Sequence, residues 1–377
     1  MNAAAPTAFD CQMMAIALGM AERGLGLTAP NPSVGAVIAN PETGELLARA
    51  TTARGGRPHA ETQAIAIAGA ATRGATIYVT LEPCSHQGHT GPCAQAIINA
   101  GFKRAVVAIE DPDPRVAGRG LDMLRAAGVE VVRGVGADAA RWVTRGHIVR
   151  VTERRPLVTL KMALDSAGDV PRGDGEKPVF VTGTNARAHG HLLRAMNDAI
   201  LVGGGTLRDD NPELTCRLPG LESRSPLRVV LSRDPVDWSA TRMLASAAAA
   251  PILFVTSYST AQNAVPPGSA VDVATVPTVG GQLWLPAVME ALVARGITRL
   301  LVEGGPKIWR AFADASLIDE VVAYIAPSPA TGAATDSEAF AATQKRLGPL
   351  AVALIDHRTL DPDTMWRFRR VPHKEGH

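Results

Sequence analysis

Two short stretches of the chain bring together side chains that bind metals and move protons. In "PHAE", His59 and Glu61 are separated by one alanine, and in "EPCSHQGHTGPC" the cysteines Cys84 and Cys93 are separated by eight residues. One imidazole and two thiols are ligands that zinc prefers, and three protein ligands leave a fourth position open for catalysis. A carboxyl group that does not bind the metal, here Glu61, is suited to accept and return protons. The pattern therefore predicts a catalytic zinc centre held by His59, Cys84 and Cys93.

Two other interpretations stay open at the level of sequence. His59 can be an ordinary packed histidine, with both cysteines acting as small buried apolar side chains. Alternatively, the site is a structural zinc site, which needs a fourth ligand from His86 or His89. Zinc deaminases carry H-x-E followed by P-C-x-x-C, and this chain has H-x-E and P-C with a longer interval before the second cysteine. The pattern favours hydrolytic deamination, in which zinc activates water and Glu61 transfers protons.

The surrounding elements must bring these residues to one place. A proline precedes an Ala- and Ile-rich segment, so His59 and Glu61 are predicted in the first turn of a helix. Cys84 follows a predicted strand, "TIYVTLEP", and Cys93 precedes a predicted helix, "AQAIINAG". From residue 34 to about 146, short apolar runs alternate with helical segments. This alternation predicts an α/β domain with a largely parallel or mixed sheet.

The second half of the chain repeats the alternation. Predicted strands are "PLVTLKMAL", "AILVGGG", "PLRVVLS", "APILFVTS", "RLLVEGG" and "EVVAYIAP", and predicted helices are "NARAHGHLLRAMN" and "GGQLWLPAVMEALVARG". The stretch "PSPATGAATDSEAFAATQKRLGP" is poor in bulky apolar residues and predicts a loop or a poorly packed segment. We expect two domains, residues 1–150 and 156–372, with the boundary in the charged stretch between them.

Two glycine-rich turns in the second half follow predicted strands. Both "LVGGGTLRDD" and "LVEGGPKIW" place glycines between a strand and a helix. Glycine lets the backbone approach a phosphate closely, and a helix N-terminus offers free N–H groups to the anion. Neither turn has G-x-G-x-x-G spacing, and glycine turns are common in α/β domains. Together the two turns favour a nucleotide ligand.

Composition limits the class of protein and the kind of partner. The 377 residues are 46% hydrophobic, 20% charged and 4% aromatic, which is typical of a globular protein. The net charge is +2 and the basic residues are spread along the chain, so we expect a small-molecule substrate and no nucleic-acid partner. The first 24 residues predict a helix rather than a secretory signal, and no apolar run predicts a membrane span. With four cysteines, the chain is expected in the reducing cytoplasm.

The first domain resembles the deaminase domain of the bifunctional riboflavin-biosynthesis deaminase/reductase family. The resemblance rests on "NPSVGAVI", "LEPCSHQGHTGPC" and "EDPDPRVAGRG", and it spans nearly the whole domain. It implies a cytidine-deaminase-like three-layer α/β/α fold that binds Zn²⁺, with Glu61 as catalytic acid and base. It also implies substrate contacts at Asn31, His86 and His89. Thr52 stands where many relatives have a histidine, and His89 where they commonly have Lys or Arg.

The second domain resembles the reductase domain of the same family, through "TLKMAL", "VTGTNARAHGHLLRAMNDAILVGGGTLRDDNPELTCR" and "VEGG". The resemblance implies a dihydrofolate-reductase-like α/β fold that uses NADPH. The implied NADPH contacts are Leu164, Phe180, Thr206, Asp210, Ser232 and Gly305. The implied substrate contacts are Arg194, Leu214, Arg217 and Glu303. The two arginines make physical sense, because guanidinium groups suit a ribose phosphate.

The second domain departs from the family pattern at three places. Phe180 replaces a common tryptophan, Ala167 precedes Gly168 where relatives have an Asp-Gly pair, and "APSPATGAATDSE" lacks a glycine pair. These departures bear on the reductase activity rather than on the deaminase activity. Lys161, on the first predicted strand of this domain, is either a site cation or an edge residue.

The resemblance predicts a two-step enzyme of riboflavin biosynthesis. The enzyme hydrolytically deaminates 2,5-diamino-6-(5-phosphoribosylamino)pyrimidin-4-one and then reduces the ribosyl group to a ribityl chain with NADPH. We also expect a homo-oligomer. One alternative is a zinc deaminase acting on another nucleotide or nucleic-acid base, with a degenerate reductase-like domain. Another is a zinc-stabilised binding module without turnover, which predicts a closed site with four protein ligands.

Overall fold

The structure is a computed structural model, and it describes residues 5–87, 91–170, 182–261, 265, 268–327, 335–348 and 350–371. Two predicted site residues, His89 and Phe180, lie outside the described residues. The chain divides into two compact units, Met1–Arg155 and Pro156–His377. Each unit has its own sheet and its own apolar core.

The first unit packs helices against one mixed sheet. Its strands are β1 (Gly35–Asn40), β2 (Glu45–Thr51), β3 (Thr76–Val79), β4 (Arg104–Val107) and β5 (Glu130–Arg133). Its helices are α1 (Ala8–Arg23), α2 (Ala60–Ala68), α3 (Cys93–Asn99), α4 (Arg119–Ala126) and α5 (Ala137–Glu153). The described strands follow the order β2-β1-β3-β4-β5. β1 pairs antiparallel with β2 and β3, while β3, β4 and β5 are parallel.

Helix α1 shows how local sequence and packing agree in this unit. Thr7 and Asp10 form a capping box at its N-terminus, which satisfies backbone N–H groups that the helix leaves free. Its buried side chains recur at helical spacing and face the sheet: Met13, Met14, Ala17, Leu18 and Ala21. Asp10 also accepts hydrogen bonds from Arg104 of β4 at 2.6 and 3.0 Å. The helix is therefore fixed to the sheet by apolar burial and by one buried ion pair.

The second unit is built on a longer sheet. Its strands are β6 (Leu157–Leu164), β7 (Ala199–Gly203), β8 (Leu227–Leu231), β9 (Ile252–Ser257), β10 (Val271–Val276), β11 (Thr278–Val279), β12 (Gln282–Leu283), β13 (Arg299–Val302), β14 (Glu320–Ile325), β15 (Val352–Leu360) and β16 (Asp363–Arg370). Its helices are α6 (Thr184–Ala195), α7 (Gly204–Asp210), α8 (Arg242–Ala245), α9 (Tyr258–Ala261), α10 (Leu285–Ala294), α11 (Pro306–Asp314) and α12 (Asp336–Leu347).

The order of strands in the second sheet creates a place for a ligand. Within the described ranges the order is β10-β9-β8-β7-β13-β6-β14-β16-β15, with β11 and β12 forming a separate pair. The strands from β10 to β14 in that order are parallel, and β16 is antiparallel to both of its neighbours. The late strand β13 is inserted between β7 and β6. Ligands of open α/β sheets bind at such reversals of strand order, beyond the carboxyl ends of the strands.

Most predicted elements are present, and one prediction was wrong. The structure confirms the predicted strand runs of both halves and the predicted helix at 185–197, which is α6. The helix predicted at 280–296 begins only at Leu285, because Gln282–Leu283 form β12. The predicted loop at 327–349 instead contains α12, which begins with a capping box between Thr335 and Glu338. Its buried face is formed largely by small residues such as Ala339 and Ala342. Alanine favours helix strongly but contributes little to a pattern of bulky apolar residues, so the pattern missed the helix.

Candidate metal centre and nucleotide crevice

Three side chains of the first unit converge on one point. His59 is the N-cap residue of α2, and Cys93 is the first residue of α3. Cys84 lies in the loop between β3 and α3. The His59 Nδ1 atom lies 3.3 Å from Sγ of Cys93 and 3.7 Å from Sγ of Cys84. All three donor atoms lie within 4.8 Å of one another.

The spacing of these donor atoms fits one zinc ion. A tetrahedral zinc at about 2.3 Å from sulfur and about 2.0 Å from nitrogen separates its ligand atoms by about 3.6 Å. The two distances from His59 to the cysteines, 3.3 and 3.7 Å, lie on either side of that value. Among the residues that the structure describes, no fourth His, Cys, Asp or Glu joins the cluster. His86 is exposed on the loop after Cys84, so the described donors fit an open, catalytic type of site.

The two thiols and the imidazole compete for protons. The hydrogen bond from the Cys93 thiol lowers the pKa of Cys84 to about 4. The same hydrogen bond and burial raise the pKa of Cys93. The hydrogen bond to Cys84 raises the pKa of His59. Negative charge is therefore concentrated at Cys84, and metal binding displaces the remaining protons.

Glu61 places a buried carboxyl group beside the ligands. It lies in the first turn of α2 and is 3% exposed. Its Oε2 atom has no hydrogen-bond partner in the described part of the chain, and burial raises its pKa. An unsatisfied buried carboxyl oxygen is unfavourable unless a cation or a reacting molecule completes its surroundings. The orphaned oxygen thus agrees with a bound metal and a substrate pocket.

Asn31 contacts a zinc ligand, whereas the hydroxyl of Thr52 is hydrogen-bonded to the backbone. The Nδ2 atom of Asn31 lies 3.4 Å from Nε2 of His59 and also donates to the carbonyl of Gly56 at 2.8 Å. Thr52 is 3% exposed, and its hydroxyl accepts a hydrogen bond from the backbone N–H of Val34 at 3.0 Å. The Thr52 hydroxyl therefore joins its own strand region to the backbone of Val34.

Glu82 is a residue of this site that sequence reasoning missed. Its buried carboxylate accepts four backbone N–H groups, from Asp111, Gly118, Gly120 and Leu121, at 2.8 to 3.4 Å. A Cβ atom on Gly120 would lie 2.0 Å from the carbonyl oxygen of Pro83. The segment 111–121 is thus fastened directly to the backbone that precedes Cys84. The adjacency of Glu82 to "PC" was the only signal in the sequence.

A cluster of partly buried charges lies in the second unit where the carboxyl end of β13 meets the middle of β6. Arg194 of α6 donates two parallel hydrogen bonds to Glu303, at 2.8 and 2.9 Å. Burial by itself raises the pKa of Glu303, but the charge of Arg194 and its hydrogen bonds outweigh burial and lower that pKa to about 2. Lys161 Nζ lies 3.9 Å from Glu303, and burial lowers the pKa of Lys161. Since β6 lies between β13 and β14, Lys161 is not an edge residue.

The predicted substrate residues Leu214 and Arg217 lie on a short segment beside this cluster. The carbonyl oxygen of Thr215 accepts a hydrogen bond from Arg194 at 3.1 Å. Leu214 is 3% exposed with a left-handed φ of 57°, so its backbone rather than its side chain is available for contacts. Arg217 is half-exposed and pairs with Glu213 at 3.1 Å. The structure thus places Arg194, Glu303 and this segment together.

The two glycine turns also meet. Gly203 ends β7 and Gly204 begins α7, which contains Thr206, while Gly305 caps α11 after β13. A Cβ atom on Gly305 would lie 3.9 Å from Oγ1 of Thr206, and one on Gly205 would meet nothing within 4 Å. Ser232 follows β8, and its Oγ would lie 2.6 Å from a Cβ on Gly204. Three adjacent strand ends therefore bring both glycine turns and Ser232 to one edge of the sheet, an arrangement that suits the phosphates of a nucleotide cofactor.

The remaining predicted cofactor residues lie around this sheet edge. Leu164 ends β6 with its side chain fully buried in the core, and Asp210 is exposed at the end of α7. The turn after β6 forms without the Asp-Gly pair. Asp165 accepts a hydrogen bond from the N–H of Ala167 at 2.9 Å, and Gly168 takes a φ of 74°. The turn after β6 therefore still forms with alanine at position 167.

Comparisons with known proteins agree with a metal site in the first unit and a nucleotide site in the second. Residues 7–109 match the model of the cytidine and deoxycytidylate deaminase zinc-binding region, and residues 156–366 match the model of the RibD C-terminal domain. The riboflavin biosynthesis protein RibD of Bacillus amyloliquefaciens is 36% identical over 315 residues, covering 83% of each chain. That of Escherichia coli is 36% identical over 330 residues, covering 84% of this chain and 88% of the relative.

A solved structure shows the same architecture over both units. The diaminohydroxyphosphoribosylaminopyrimidine deaminase/5-amino-6-(5-phosphoribosylamino)uracil reductase of Thermotoga maritima superposes with a TM-score of 0.80 at 31% identity. The superposition covers 96% of this chain and 99% of that one.

Fold and site together define a zinc-dependent deaminase domain joined to a reductase domain. The chain belongs to the RibD family of bifunctional riboflavin biosynthesis proteins. The predicted fold class, with its cytidine-deaminase-like first domain, and the predicted hydrolase and oxidoreductase classes with Zn²⁺ and NADPH as cofactors are confirmed. No helix in the described ranges is long and apolar enough to cross a membrane.

Proposed function

We propose that the first unit hydrolyses the amino group of 2,5-diamino-6-(5-phosphoribosylamino)pyrimidin-4-one. The observation that carries this proposal is the convergence of His59, Cys84 and Cys93 beside the buried carboxyl group of Glu61. His59, Cys84 and Cys93 hold the zinc ion, which supplies Lewis-acid activation of water when bound.

Glu61 moves the protons of this reaction. Burial raises its pKa, and a raised carboxyl pKa brings proton uptake and release closer to neutral pH. Glu61 takes a proton from the attacking water while the water oxygen bonds to the ring carbon that carries the amino group. It then delivers that proton to the amino group, so that the ring C–N bond breaks, ammonia leaves and the oxygen stays on the ring. Asn31, His86 and His89 contact the substrate, and Asn31 also limits the movement of the His59 ring.

We further propose that the second unit reduces the ribosyl group of the deaminated product. NADPH supplies the hydride when bound. Its contacts are Leu164, Phe180, Thr206, Asp210, Ser232 and Gly305. Since the turns carrying Thr206 and Gly305 lie close together, their backbone N–H groups would hold the cofactor phosphates.

Arg194, Leu214, Arg217 and Glu303 form the site for the ribose phosphate substrate, with different roles. The guanidinium group of Arg194 is occupied by Glu303 and by Thr215, so Arg194 orients these two acceptors. Glu303 has a pKa of about 2 and stays ionised, which makes it an acceptor for sugar hydroxyl groups. Arg217 is half-exposed and takes the phosphate.

We infer that residues 1–150 and 156–372 act as the two catalytic domains of a cytoplasmic homo-oligomer without a nucleic-acid partner. The modest net charge of +2 supports a small-molecule substrate over nucleic acid. Light scattering coupled to size-exclusion chromatography tests the oligomer, because a monomeric mass at micromolar concentration contradicts it.

The experiment for the whole proposal is a product-mass assay. Purified protein is incubated with the diaminopyrimidinone phosphoribosyl compound, with and without NADPH. We expect a mass gain of about 1 Da from replacing an amino group by oxygen, and a further gain of about 2 Da only with NADPH. Deamination of cytidine or single-stranded DNA instead, without NADPH oxidation, would support the alternative of a different base deaminase with a degenerate reductase-like domain.

A further inference from the structure

Arg228 is a fully buried arginine that the proposed reaction does not use. It is the second residue of β8, and 0% of its surface is exposed. Its guanidinium group donates to four backbone carbonyls and one hydroxyl: Glu213 O, Met243 O, Ser246 O, Ala250 O and Ser246 Oγ. None of these acceptors is a carboxylate, and burial lowers the pKa of Arg228 to about 10.

A buried arginine without a carboxylate partner is an unfavourable way to fill a core. Burying an ion carries a penalty of several kcal/mol, and apolar side chains of similar volume often stabilise such positions better. The interior of this sheet is otherwise lined by apolar residues such as Val230 and Phe254. The arginine is therefore better explained by what its hydrogen bonds hold together than by its contribution to the core.

The acceptors of Arg228 belong to two loop segments. One segment follows α7 and contains Glu213, and the other extends from α8 to β9. Asn211 adds to this connection, because it donates to the carbonyl of Ala240 at 3.1 Å and accepts from the N–H of Arg242 at 2.8 Å. We call the hydrogen bonds of Arg228 and Asn211 that join residues 211–217 to residues 240–250 the 211–217 latch.

The latched segment has a backbone conformation that must be held in place. Asn211 and Leu214 have left-handed φ values of 41° and 57°, which are unfavourable for residues other than glycine and persist where surrounding contacts enforce them. Between Leu214 and Arg217, the carbonyl oxygen of Thr215 accepts a hydrogen bond from Arg194 at 3.1 Å, and the backbone N–H of Arg217 donates to Nδ1 of His191 at 3.3 Å. The segment is thus held at two carbonyl groups, that of Glu213 by Arg228 and that of Thr215 by Arg194.

We propose that Arg228 is a positioning residue of the reductase, which holds residues 211–217 in the conformation that presents Leu214, Thr215 and Arg217 to the substrate. The proposal rests on the proposed function, since it takes Arg217 as the phosphate contact. Arg228 itself touches neither substrate nor cofactor.

The test compares Arg228→Met with Ile252→Ala. Ile252 is buried and lies directly opposite Arg228 in the pairing of β8 with β9, so its truncation destabilises the same region without removing a latch hydrogen bond. We expect Arg228→Met to raise the reductase KM for the phosphoribosyl substrate about tenfold with a smaller change in kcat, and to speed amide hydrogen exchange in 211–217. Ile252→Ala should lower the melting temperature while leaving that KM and that exchange unchanged.

Two further variants make the outcome decisive. If Arg228→Met does not fold, Arg228→Lys carries the test, with a smaller rise in KM because lysine keeps the charge but has fewer donors. Unchanged exchange in 211–217, or an equal rise in KM for Ile252→Ala, overturns the proposal. Arg217→Ala separates it from the proposed function: an unchanged KM in that variant contradicts the phosphate role of Arg217, while the exchange rates still decide whether Arg228 holds the segment.

Discussion

At the scale of single residues, the first unit separates metal binding from proton transfer. The ligand atoms of His59, Cys84 and Cys93 face one another, whereas Glu61 lies buried beside them with one free oxygen. The second unit uses charge differently, because Arg194 keeps Glu303 ionised through two direct hydrogen bonds. Substitutions at these positions should therefore have separable effects.

The metal ligands are tested by zinc content. We expect purified protein to contain about one zinc per chain and Cys84→Ser to lose most of it, because a hydroxyl is a much poorer zinc ligand than a thiolate. Elemental analysis measures both. Cys11→Ser is the matched control, since Cys11 is an exposed cysteine of the same unit. Active wild-type protein without zinc would contradict the assignment.

Glu61→Gln tests the proton-transfer role. The amide has nearly the same shape but cannot take up a proton, so deamination should fall by roughly 10²-fold to 10⁴-fold while zinc content stays the same. Steady-state rates and elemental analysis on the same sample provide the two readouts. Glu22→Gln, at an exposed position of α1, should match wild type. Loss of zinc from Glu61→Gln would make Glu61 a ligand or a structural support instead.

At the scale of elements, buried carboxylates fasten helices and loops to the strands. Glu82 gathers the N–H groups of segment 111–121, and Asp10 joins α1 to Arg104 of β4. In the second unit the buried Arg228 joins two loops in the same manner. Such contacts give the loops around each site fixed positions that apolar packing alone does not specify.

Asp10→Asn tests one of these attachments through pH. Its hydrogen bonds with Arg104 and Thr7 outweigh burial and lower the pKa of Asp10 from 3.8 to about 2. Because the folded-state pKa is the lower one, the stabilisation is present above pH 3.8 and is lost as the pH falls towards 2. The shift corresponds to about 2 kcal/mol.

The measurement is the difference in unfolding free energy between wild type and Asp10→Asn as a function of pH. We expect a difference of about 2 kcal/mol at pH 6 that shrinks steadily below pH 4. Asp138→Asn is the control, because Asp138 is fully exposed and its removal should change stability little at any pH. A difference for Asp10→Asn that does not vary with pH would show that its carboxyl group is not held ionised by Arg104.

At the scale of the whole molecule, the chain consists of two compact units that carry different chemistry. Each unit buries its own core. Hydrolysis needs water at the reacting carbon, whereas hydride transfer benefits from a site that excludes water. Separate sites satisfy both requirements.

The separation predicts opposite effects from two substitutions. Cys84→Ser should abolish deamination and leave NADPH-dependent reduction of the already deaminated intermediate, because its effect is confined to the zinc ligands. Arg217→Ala should do the reverse by weakening the contact with the ribose phosphate. Product masses and NADPH oxidation measure both activities. Loss of both activities in Cys84→Ser that stays folded by circular dichroism would contradict the two-site account.

Residue type and spacing were enough to predict the alternating α/β elements and the convergence of His59, Cys84 and Cys93, because these signals are local to short motifs. The reductase was predicted from a family resemblance, which rested on separate motifs of the second domain. The helix at 336–347 escaped because Leu347 is the one bulky apolar side chain among its described buried residues, beside Ala339, Ala342 and Thr343. Only the tertiary structure decided the rest: that Lys161 lies on an interior strand, and that Glu82 and Arg228 hold loops distant in sequence. The physical reason is that the function of a buried charged side chain depends on which groups lie next to it in the folded chain. The partners of Arg228 include backbone carbonyl groups, and every residue type has one, so the sequence carries no signal for them.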